Sequence, residues 1–279
     1  MNDLPRRPGP TTRLRVSEHD DGRTRRREDR VVTEEPMEIR LRWPGHPGQR
    51  VWTTMRTPGH DFELATGWAF HEGWIGASAP SRVAYCTDAD LRAEQEFNVV
   101  TVDLTSPPDR APAPPPTALS AGSSACGVCG SDTIDALERT IAASRGEAYA
   151  GPDLDAEVVR SLPDRLRAEQ PLFDRTGGTH AAALVDLAGG VQAVREDVGR
   201  HNAVDKVAGT RLLAGQGPNA AALVVSGRAG FELVQKAAVS GVGALVAVGA
   251  PTSLAVELAR RCGLALWGFT SAERSVRYA

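Results

Sequence analysis

Two cysteines lie close together in the sequence Cys126-Gly-Val-Cys129, and a glycine follows each of them. Three kinds of chemistry use such a pair: a zinc site, a redox dithiol and a nucleophile that carries sulfur. A structural zinc site usually needs four ligands, but the sequence has no second C-x-x-C and no histidine pair at zinc-finger spacing. A thioredoxin-like dithiol would follow a strand of a βαβ unit, whereas this pair follows a tract of proline, serine and glycine. The pattern favours a sulfur-carrying nucleophile, with packed, inert cysteines as the fourth alternative.

The segment after the cysteine pair indicates how the pair is presented. Residues 132–144 predict a helix, which places Cys126 and Cys129 just before a helix N-terminus. The unpaired N–H groups there favour a thiolate over a thiol, and the neighbouring glycines leave room for a large partner. A persulfide carrier needs these properties, because it must accept sulfur, hold it in an accessible position and release it.

A second group of polar residues follows Gly199, at the start of a predicted helix. Arginine, histidine and asparagine in one helical turn form a candidate binding site, and a solvated basic surface is the ordinary alternative. His201 and Asp205 are one turn apart and share a face. The chain has only two lysines against 30 arginines, which indicates a specific requirement for Lys206 and Lys236. The candidate residues of this group are Arg200, His201, Asn202, Asp205 and Lys206.

Two glycine-containing turns lie beside predicted strands. Ser226-Gly-Arg228 separates a strand from a helix, so its backbone N–H groups can approach an anion and Arg228 can pair with it. It lacks the Walker and G-x-G-x-x-G spacings, and an ordinary βα turn is an equal alternative. The second turn contains Thr176, Gly177, Gly178, Thr179 and His180. Its alternative is a tight turn with a capping threonine. Since phosphate-bearing ligands bind where such loops meet in α/β folds, we expect the turns to lie together.

The first half of the chain predicts three segments. Residues 1–30 are rich in charged side chains and nearly lack large apolar ones, which predicts a disordered, arginine-rich arm. Residues 31–105 predict a mainly β module. Residues 106–130 begin with many prolines and predict a flexible loop that carries the cysteine pair. The predicted strands of the module cover residues 37–43, 51–55 and 97–104, and its predicted helix covers residues 62–72.

Residues 131–279 predict an α/β domain. Short, apolar, β-branched runs alternate with helical patterns, which indicates a sheet covered by helices on both faces. The predicted strands cover residues 181–185, 191–194, 221–225, 244–248 and 264–269, and the predicted helices cover residues 201–213, 231–240 and 254–262.

The composition limits the functions to consider. A chain of 279 residues with 41% hydrophobic residues can bury a substantial core. Its net charge of -3 gives no reason to expect a nucleic-acid partner. No apolar stretch reaches the ~20 residues of a membrane span and the start has no signal-peptide pattern, so we expect a cytoplasmic protein without membrane association. Cys86 and Cys262 are isolated in sequence, and we expect both to be buried as small hydrophobic residues.

Together these segments resemble the FdhD family of formate dehydrogenase accessory sulfurtransferases. The resemblance implies a homodimer and a three-layer, cytidine-deaminase-like fold for the C-terminal domain. The deaminase zinc signature is missing, because His71-Glu72 lacks the intervening residue and Ala125 replaces the proline before the cysteine pair. Deamination is therefore not expected, and without a second pair of zinc ligands no structural metal is expected either. The matching stretches are residues 34–39, 54–58, 126–130, 176–184, 195–206, 226–236 and 249–257.

The resemblance also implies the chemistry. A cysteine desulfurase would supply sulfur as a persulfide on Cys126, with Cys129 assisting. The acceptor would be the molybdenum cofactor of formate dehydrogenase, molybdenum bis-molybdopterin guanine dinucleotide, bound as a substrate. A GDP-like guanine nucleotide would fit the same site. The guanine segment of the family falls on Phe269, Thr270, Ser271, Ala272, Glu273 and Arg274, where an aromatic ring can stack on a base and an arginine can meet a phosphate.

The other expected cofactor contacts come from the two turns and the helix start. They are Thr176, Gly177, Gly178, His180, Arg200, His201, Asn202, Lys206, Ser226 and Arg228. Two further functions stay open. A non-catalytic cofactor chaperone would bind guanine nucleotide independently of the cysteines, and a redox regulator would form a reversible disulfide between Cys126 and Cys129.

Overall fold

The computed structural model describes residues 7–76, 80–87, 91, 95–108, 141 and 148–279. Cys126, Cys129, nearly all of the predicted helix over residues 132–144 and most of the predicted loop over residues 106–130 lie outside them. Within the described ranges the chain forms twelve strands and six helices. The strands are β1 Thr11–Asp20, β2 Arg23–Val32, β3 Glu35–Trp43, β4 His46–Arg56, β5 Arg82–Tyr85, β6 Val99–Asp103, β7 His180–Val185, β8 Val191–Asp197, β9 Ala222–Val225, β10 Ala244–Ala247, β11 Ala265–Gly268 and β12 Val276–Arg277. The helices are α1 Asp61–His71, α2 Ala156–Ala168, α3 Pro171–Thr176, α4 Arg200–Leu213, α5 Phe231–Ser240 and α6 Ser253–Cys262.

The first two strands form an exposed hairpin. β1 and β2 pair antiparallel over all 10 residues of each strand. Asp21 and Gly22 close the turn with positive φ angles of 45° and 74°, which suit the tight turns that twist with antiparallel strands. The prediction of a disordered arm over residues 1–30 is therefore wrong where the hairpin lies. Three opposite-charge pairs meet directly across the hairpin, Arg15 with Glu28, Glu18 with Arg25 and Asp20 with Arg23, and they stabilise the pairing of the two strands.

A four-stranded sheet has the order β4-β3-β6-β5. β3 and β4 form a hairpin, β6 runs parallel to β3, and β5 pairs antiparallel with β6. Met37, Ile39 and Val100 on this sheet form one buried cluster with Leu64 and Trp68 of α1. The three strands and the helix predicted for this region are confirmed. Most of their predicted ends lie within two residues of the observed ends. β5 is not among the predicted strands, because its four residues carry too short a pattern.

The larger sheet has the order β12-β11-β10-β9-β7-β8. β9, β10 and β11 are parallel, while β7, β8 and β12 pair antiparallel with their neighbours. One face carries α4, α5 and α6 over a buried cluster that includes Leu223 and Leu245. The other face carries α2 over a cluster that includes Leu162 and Val224. Helices therefore cover both faces, as the continuous apolar runs predict.

Helix α1 packs on the four-stranded sheet and helix α4 packs on the larger sheet, and the backbones of the two helices are in direct contact. A Cβ added to Gly67 of α1 would lie 1.8 Å from the carbonyl oxygen of Asp205. A Cβ added to Gly209 of α4 would lie 1.9 Å from the carbonyl oxygen of Glu63. These two glycines lower the intrinsic stability of their helices, but no other residue allows this close crossing. Phe70 of α1 accordingly belongs to the core of the larger sheet.

The two isolated cysteines have different surroundings. Cys86 is 7% exposed and follows β5. Cys262 is half-buried and packs against the core under the larger sheet. The prediction of burial is confirmed for Cys86 and only partly met by Cys262.

Candidate functional site

The loops that follow the three parallel strands meet at one edge of the larger sheet. Gly249 N donates to the Gly227 carbonyl at 2.9 Å, and Phe269 N donates to the Gly249 carbonyl at 3.1 Å. A Cβ on Gly249 would lie 2.9 Å from Cγ and 3.0 Å from Cα of Arg228. Glycine is therefore required for these loops to pack so closely. We call this edge, formed by the ends of β9, β10 and β11 and the segments beside them, the carboxyl edge.

The antiparallel strands bring the remaining segments to the same edge. β7 pairs antiparallel with β9, so His180 at the start of β7 lies beside the end of β9. His180 is paired with Asp197 at the end of β8, after which α4 begins. Ligands of α/β proteins bind at the carboxyl ends of parallel strands. The candidate turns share one edge of the sheet, along which the ends of β8 and β11 are separated by β7, β9 and β10. The candidate residues at this edge are Thr176, Gly177, Gly178, His180, Arg200, His201, Ser226, Arg228 and residues 269–274.

The segment after β11 presents an exposed aromatic ring. Phe269 has a left-handed backbone with φ of 49° and is 42% exposed. The guanidinium carbon of Arg274 lies 5.2 Å from the ring centroid. Ser271 N donates to the Arg274 carbonyl at 2.7 Å, which closes the turn, and the Ser271 hydroxyl donates to Glu273 at 2.9 Å. Non-glycine residues rarely adopt a positive φ, so this turn holds the ring in an open position at a local energetic cost.

A buried hydroxyl lies next to that ring. Thr270 is 1% exposed, and its Oγ1 has no hydrogen-bond partner within the described residues. Its backbone N–H donates to the Ala247 carbonyl at 3.3 Å, which fixes the residue at the end of β10. A buried hydroxyl without a partner is costly, and at an edge where ligands bind it is a candidate for a hydrogen bond to a ligand.

The turn before β7 is built by capping. The Thr176 hydroxyl donates to the Leu172 carbonyl at 2.8 Å and accepts from Gly178 N at 3.3 Å. Gly177 has a φ of 63° and ends α3 in the left-handed conformation. The tight, threonine-capped turn weighed for this segment is therefore the arrangement in the structure. Gly177 N donates to the Phe173 carbonyl at 2.7 Å and Gly178 N to the Thr176 hydroxyl, so both glycine N–H groups are used inside the turn.

Two histidines lie on the side of the edge nearest α4. Burial lowers the pKa of His180 below its ordinary value, and the nearby Arg200 and His201 lower it further. The His180 ring is therefore neutral near pH 7. His201 Nε2 lies 3.0 Å from a Glu232 carboxylate oxygen on α5. Helices α4 and α5 begin after Gly199 and Gly230, and neither has a side-chain cap within the described part of the chain.

Two predicted contacts, Lys206 and Asn202, lie in the core instead of on the open edge. Lys206 is 1% exposed, and its Nζ lies 2.7 Å from Asp197 Oδ2 and 2.9 Å from the Thr57 carbonyl oxygen. Asn202 is 7% exposed and donates to Asp197 Oδ1 at 3.0 Å and to the Met55 carbonyl at 2.7 Å. Their polar groups are used in joining α4 to the end of β4, to the residue after β4 and to the end of β8. We correct their assignment from cofactor contact to support of the edge.

Lys236 and Asp205 belong to a second buried network. Lys236 Nζ and His71 Nδ1 both lie 2.6 Å from Asp205 Oδ1. His71 Nε2 lies 2.9 Å from the Ser240 hydroxyl. The order of hydroxyl, imidazole and carboxylate matches a hydrolytic triad, but Ser240, His71 and Asp205 are each no more than 2% exposed. The network therefore connects α1, α4 and α5 and meets no substrate.

The charges of this network are fixed by burial and by its lysine. Burial lowers the pKa of His71, and Lys236 lowers it further, so the ring is neutral. Burial alone would raise the pKa of Asp205, but Lys236 and His71 hold it below its ordinary value. Sequence reasoning singles out Lys236 by its rarity but misses His71, because a histidine inside an apolar helix has no local signal of its partner.

A third ion pair joins the two sheets nearer the surface. The Glu63 carboxylate on α1 accepts from Arg195 of β8 at 2.5 and 2.8 Å and lies 3.1 Å from His60. Burial alone would raise the pKa of Glu63, but the bonds from Arg195 and His60 lower it to about 2. The ionised carboxylate therefore stabilises the folded state above the ordinary pKa of Glu63, and that contribution is lost as the pH falls from about 4.5 towards 2.

We expect Glu63→Gln to weaken the fold near neutral pH by about 2 kcal/mol, less than the full pKa shift allows because the pair is partly solvated. The difference from the native protein should shrink steadily as the pH falls below the ordinary pKa of the carboxyl. Urea unfolding at a series of pH values measures both free energies. A difference between the two proteins that stays constant down to the acid limit would contradict the assignment.

The described residues contain neither a helix that could span a membrane nor a cluster of metal-binding side chains. No helix among them is long and apolar enough to cross a membrane. In the same part of the chain, no three histidine, cysteine, aspartate or glutamate side chains converge as they would around a metal ion.

The chain is similar over most of its length to known proteins. The model of the FdhD/NarQ family matches residues 32–279. The sulfur carrier protein FdhD of Streptomyces avermitilis is 46% identical over 261 residues, which cover 93% of this chain and 90% of that protein. Its counterpart in Streptomyces coelicolor is 44% identical over 263 residues, with the same coverage of 93% and 90%. The crystal structure of a formate dehydrogenase accessory protein from Desulfotalea psychrophila has a TM-score of 0.70, 23% sequence identity and 96% coverage of both chains, which supports the fold. The chain therefore belongs to the FdhD/NarQ family.

Proposed function

We propose that this protein is a sulfur carrier that serves formate dehydrogenase. The observation that carries the proposal is the 46% identity to a sulfur carrier protein FdhD over 93% of the chain. In the proposed reaction, a cysteine desulfurase in the cytoplasm transfers sulfane sulfur to the Cys126 thiolate, which gives a persulfide and releases the donor thiolate. Cys129 assists in releasing that sulfur. Both cysteines lie outside the described residues, so their roles rest on the resemblance of the motif.

The proposed acceptor is the molybdenum cofactor, molybdenum bis-molybdopterin guanine dinucleotide, bound at the carboxyl edge as a substrate. The exposed Phe269 ring can stack on a guanine base, and Arg274 and Arg228 can meet phosphate oxygens. The Thr270 hydroxyl is buried in this turn and has no partner within the described residues, so it offers one hydrogen bond to a ligand that displaces the residues covering it. These residue types fit a nucleotide-bearing cofactor. A homodimer, and the deaminase-like layering that the resemblance implies, belong to the same proposal.

Mass spectrometry of tryptic peptides tests the sulfur-carrier function. The purified protein is incubated with a cysteine desulfurase and cysteine, and the mass of each tryptic peptide is measured. We expect one reducible adduct of about 32 Da on the peptide that contains Cys126. Cys126→Ser should show no adduct. Unmodified cysteines together with bound guanine nucleotide would instead support a cofactor chaperone.

Thr270 provides a separate test of the carboxyl edge. We expect Thr270→Val to weaken binding of GDP by about tenfold, because it removes a hydrogen bond to the ligand. The same change should leave the free protein as stable as before or slightly more stable, because it removes a buried hydroxyl that lacks a partner. Calorimetric titration with GDP and thermal unfolding measure the two effects.

Thr66 offers a matched control for that substitution. It is also fully buried, its hydroxyl also has no partner within the described residues, and it lies on α1 away from the carboxyl edge. Thr66→Val should change stability in the same direction and leave GDP binding unchanged. Equal GDP affinity in the native protein and in Thr270→Val would rule out a contact between this hydroxyl and the nucleotide.

A further inference from the structure

The β1–β2 hairpin sorts its charges between its two faces. Directly paired residues of an antiparallel hairpin point to the same side, and neighbours along a strand point to opposite sides. The register pairs Arg13 with Arg30 and Arg15 with Glu28, and it places Arg26 opposite Ser17 on that same side. This side carries four arginines and one glutamate, a net of three positive charges. We call it the arginine face; it consists of Arg13, Arg15, Arg26, Glu28 and Arg30.

The opposite side of the hairpin is electrically neutral. Its three arginines are matched by three carboxylates, and several of them form ion pairs. Arg27 contacts Glu18 at 3.2 Å and Asp29 at 2.9 Å, and Arg25 also pairs with Glu18. We call it the paired face; it consists of Glu18, Asp20, Arg23, Arg25, Arg27 and Asp29. The excess positive charge of the hairpin is therefore confined to one side.

The arginine face is not neutralised by the rest of the described chain. Arg13 contacts Glu28 at 3.3 Å, but both side chains are more than 60% exposed. Within the described residues, Arg15, Arg26 and Arg30 have no carboxylate within 4.0 Å. Like charges directly opposite each other, such as Arg13 and Arg30, destabilise a hairpin. This repulsion destabilises the free hairpin, and the face that carries it is exposed. Such a face is suited to binding a partner of opposite charge.

The hairpin is anchored beside the carboxyl edge. Thr33 N donates to the Pro10 carbonyl at 3.0 Å, and the hydroxyls of Thr12 and Thr33 lie 2.8 Å apart, which closes the base of the hairpin. A Cβ on Gly178 would lie 2.8 Å from Cγ1 of Val32, the last residue of β2. The base therefore touches the turn that precedes β7. A partner bound to the hairpin would be held next to the edge where we place the cofactor.

We propose that the arginine face docks onto an acidic surface of the enzyme that receives the sulfur. This inference rests on the proposed function for the identity of the partner. Guanidinium groups bind carboxylates through paired hydrogen bonds, so a protein surface rich in aspartate and glutamate matches this face. A second copy of the chain is a poor occupant, because two arginine faces would repel each other. A nucleic acid is disfavoured by the net charge of -3 of the whole chain.

The test compares two variants with the same change in total charge. Arg15→Glu/Arg26→Glu reverses two charges of the arginine face, and Arg23→Glu/Arg25→Glu reverses two charges of the paired face. Binding of each to purified formate dehydrogenase of the same organism is measured by biolayer interferometry at low and high salt. We expect the first variant to lose about tenfold in affinity at low salt and much of the salt dependence, and the second to stay close to the native protein. Circular dichroism checks that both variants fold.

Three outcomes would overturn the docking proposal. These are equal losses in both variants, no loss in either, or tighter binding of the arginine face to a DNA duplex than to the enzyme. The persulfide on Cys126 is measured in the same preparations. A native protein that carries no persulfide would refute the proposed function, whereas intact persulfide with unaltered binding in the first variant would refute the docking surface alone.

Discussion

Replacing Lys206 with Met is expected to destabilise the protein by about 3–5 kcal/mol, the usual cost of removing one partner of a buried ion pair. Lys206 Nζ lies 2.7 Å from Asp197 Oδ2, and both side chains are no more than 1% exposed. Methionine would fill a similar volume but leave the carboxylate without its cation. It would also remove the donor to the Thr57 carbonyl. Urea unfolding followed by circular dichroism measures the difference in free energy.

The chain contains a matched pair for comparison at its surface. Arg167 contacts Asp174 at 2.5 Å, with side chains that are 48% and 59% exposed. Arg167→Met should cost less than about 1 kcal/mol, because solvent screens this pair. Adding Asp197→Asn to Lys206→Met removes the isolated charge and should restore part of the lost stability. Similar losses in Lys206→Met and Arg167→Met would contradict a buried ion pair at Lys206.

Lys206 also shows the limit of reasoning from residue type. Its rarity in an arginine-rich chain indicates a specific requirement, but it does not say for what. Lysine on a helix can bind a ligand at the surface or neutralise a carboxylate in the core, and only the three-dimensional position of Asp197 decides between them. The same holds for Asp205. It lies one helical turn after His201, but its carboxylate contacts His71 and Lys236.

The secondary structure of the larger sheet is the part that the sequence predicts best. The apolar runs are short and continuous, and glycines or polar turns separate them from the helices, so the bounds of α5 at Phe231–Ser240 are predicted without error. Helices α2 and α3 are not among the predictions. A proline, Pro163, lies inside α2 and a Gly-Gly sequence follows α3, and both signals favour loops. In the hairpin, charge density obscures an Asp-Gly turn that predicts two paired strands.

The sequence also predicts which segments meet at the carboxyl edge, but it does not predict which of their side chains are exposed there and which are buried in the core. Each candidate turn lies at one end of a predicted strand. The parallel strands β9, β10 and β11 bring their carboxyl ends to one edge, and the antiparallel β7 and β8 bring the turn before β7 and the start of α4 to the same edge. Sequence therefore identifies the carboxyl edge through Ser226, Arg228 and Phe269. It does not reveal that Thr270 is buried without a partner or that Asn202 is used inside the core. Those facts depend on contacts between residues far apart in the chain.

Replacing Cys126 with Ser is expected to abolish formate dehydrogenase activity in cells that depend on this protein, a loss of at least about a hundredfold. A serine hydroxyl cannot form a persulfide, because the sulfur chemistry requires a thiolate at the attacking position. Cys129→Ser should reduce activity less, since in the proposed reaction Cys129 assists the release of sulfur and does not hold it. Formate-dependent dye reduction in extracts of complemented deletion strains measures each activity.

Cys262 provides the matched control, because Cys262→Ser makes the same atomic change at a half-buried position at the end of α6. That variant should complement fully, and immunoblotting shows whether all three variants accumulate to equal levels. If Cys126→Ser complements while Cys129→Ser does not, the persulfide belongs on Cys129 and the roles within the motif are reversed. If both complement, the cysteine pair is not the carrier, and the cofactor chaperone becomes the better account because its function depends on nucleotide binding at the carboxyl edge and on neither thiol.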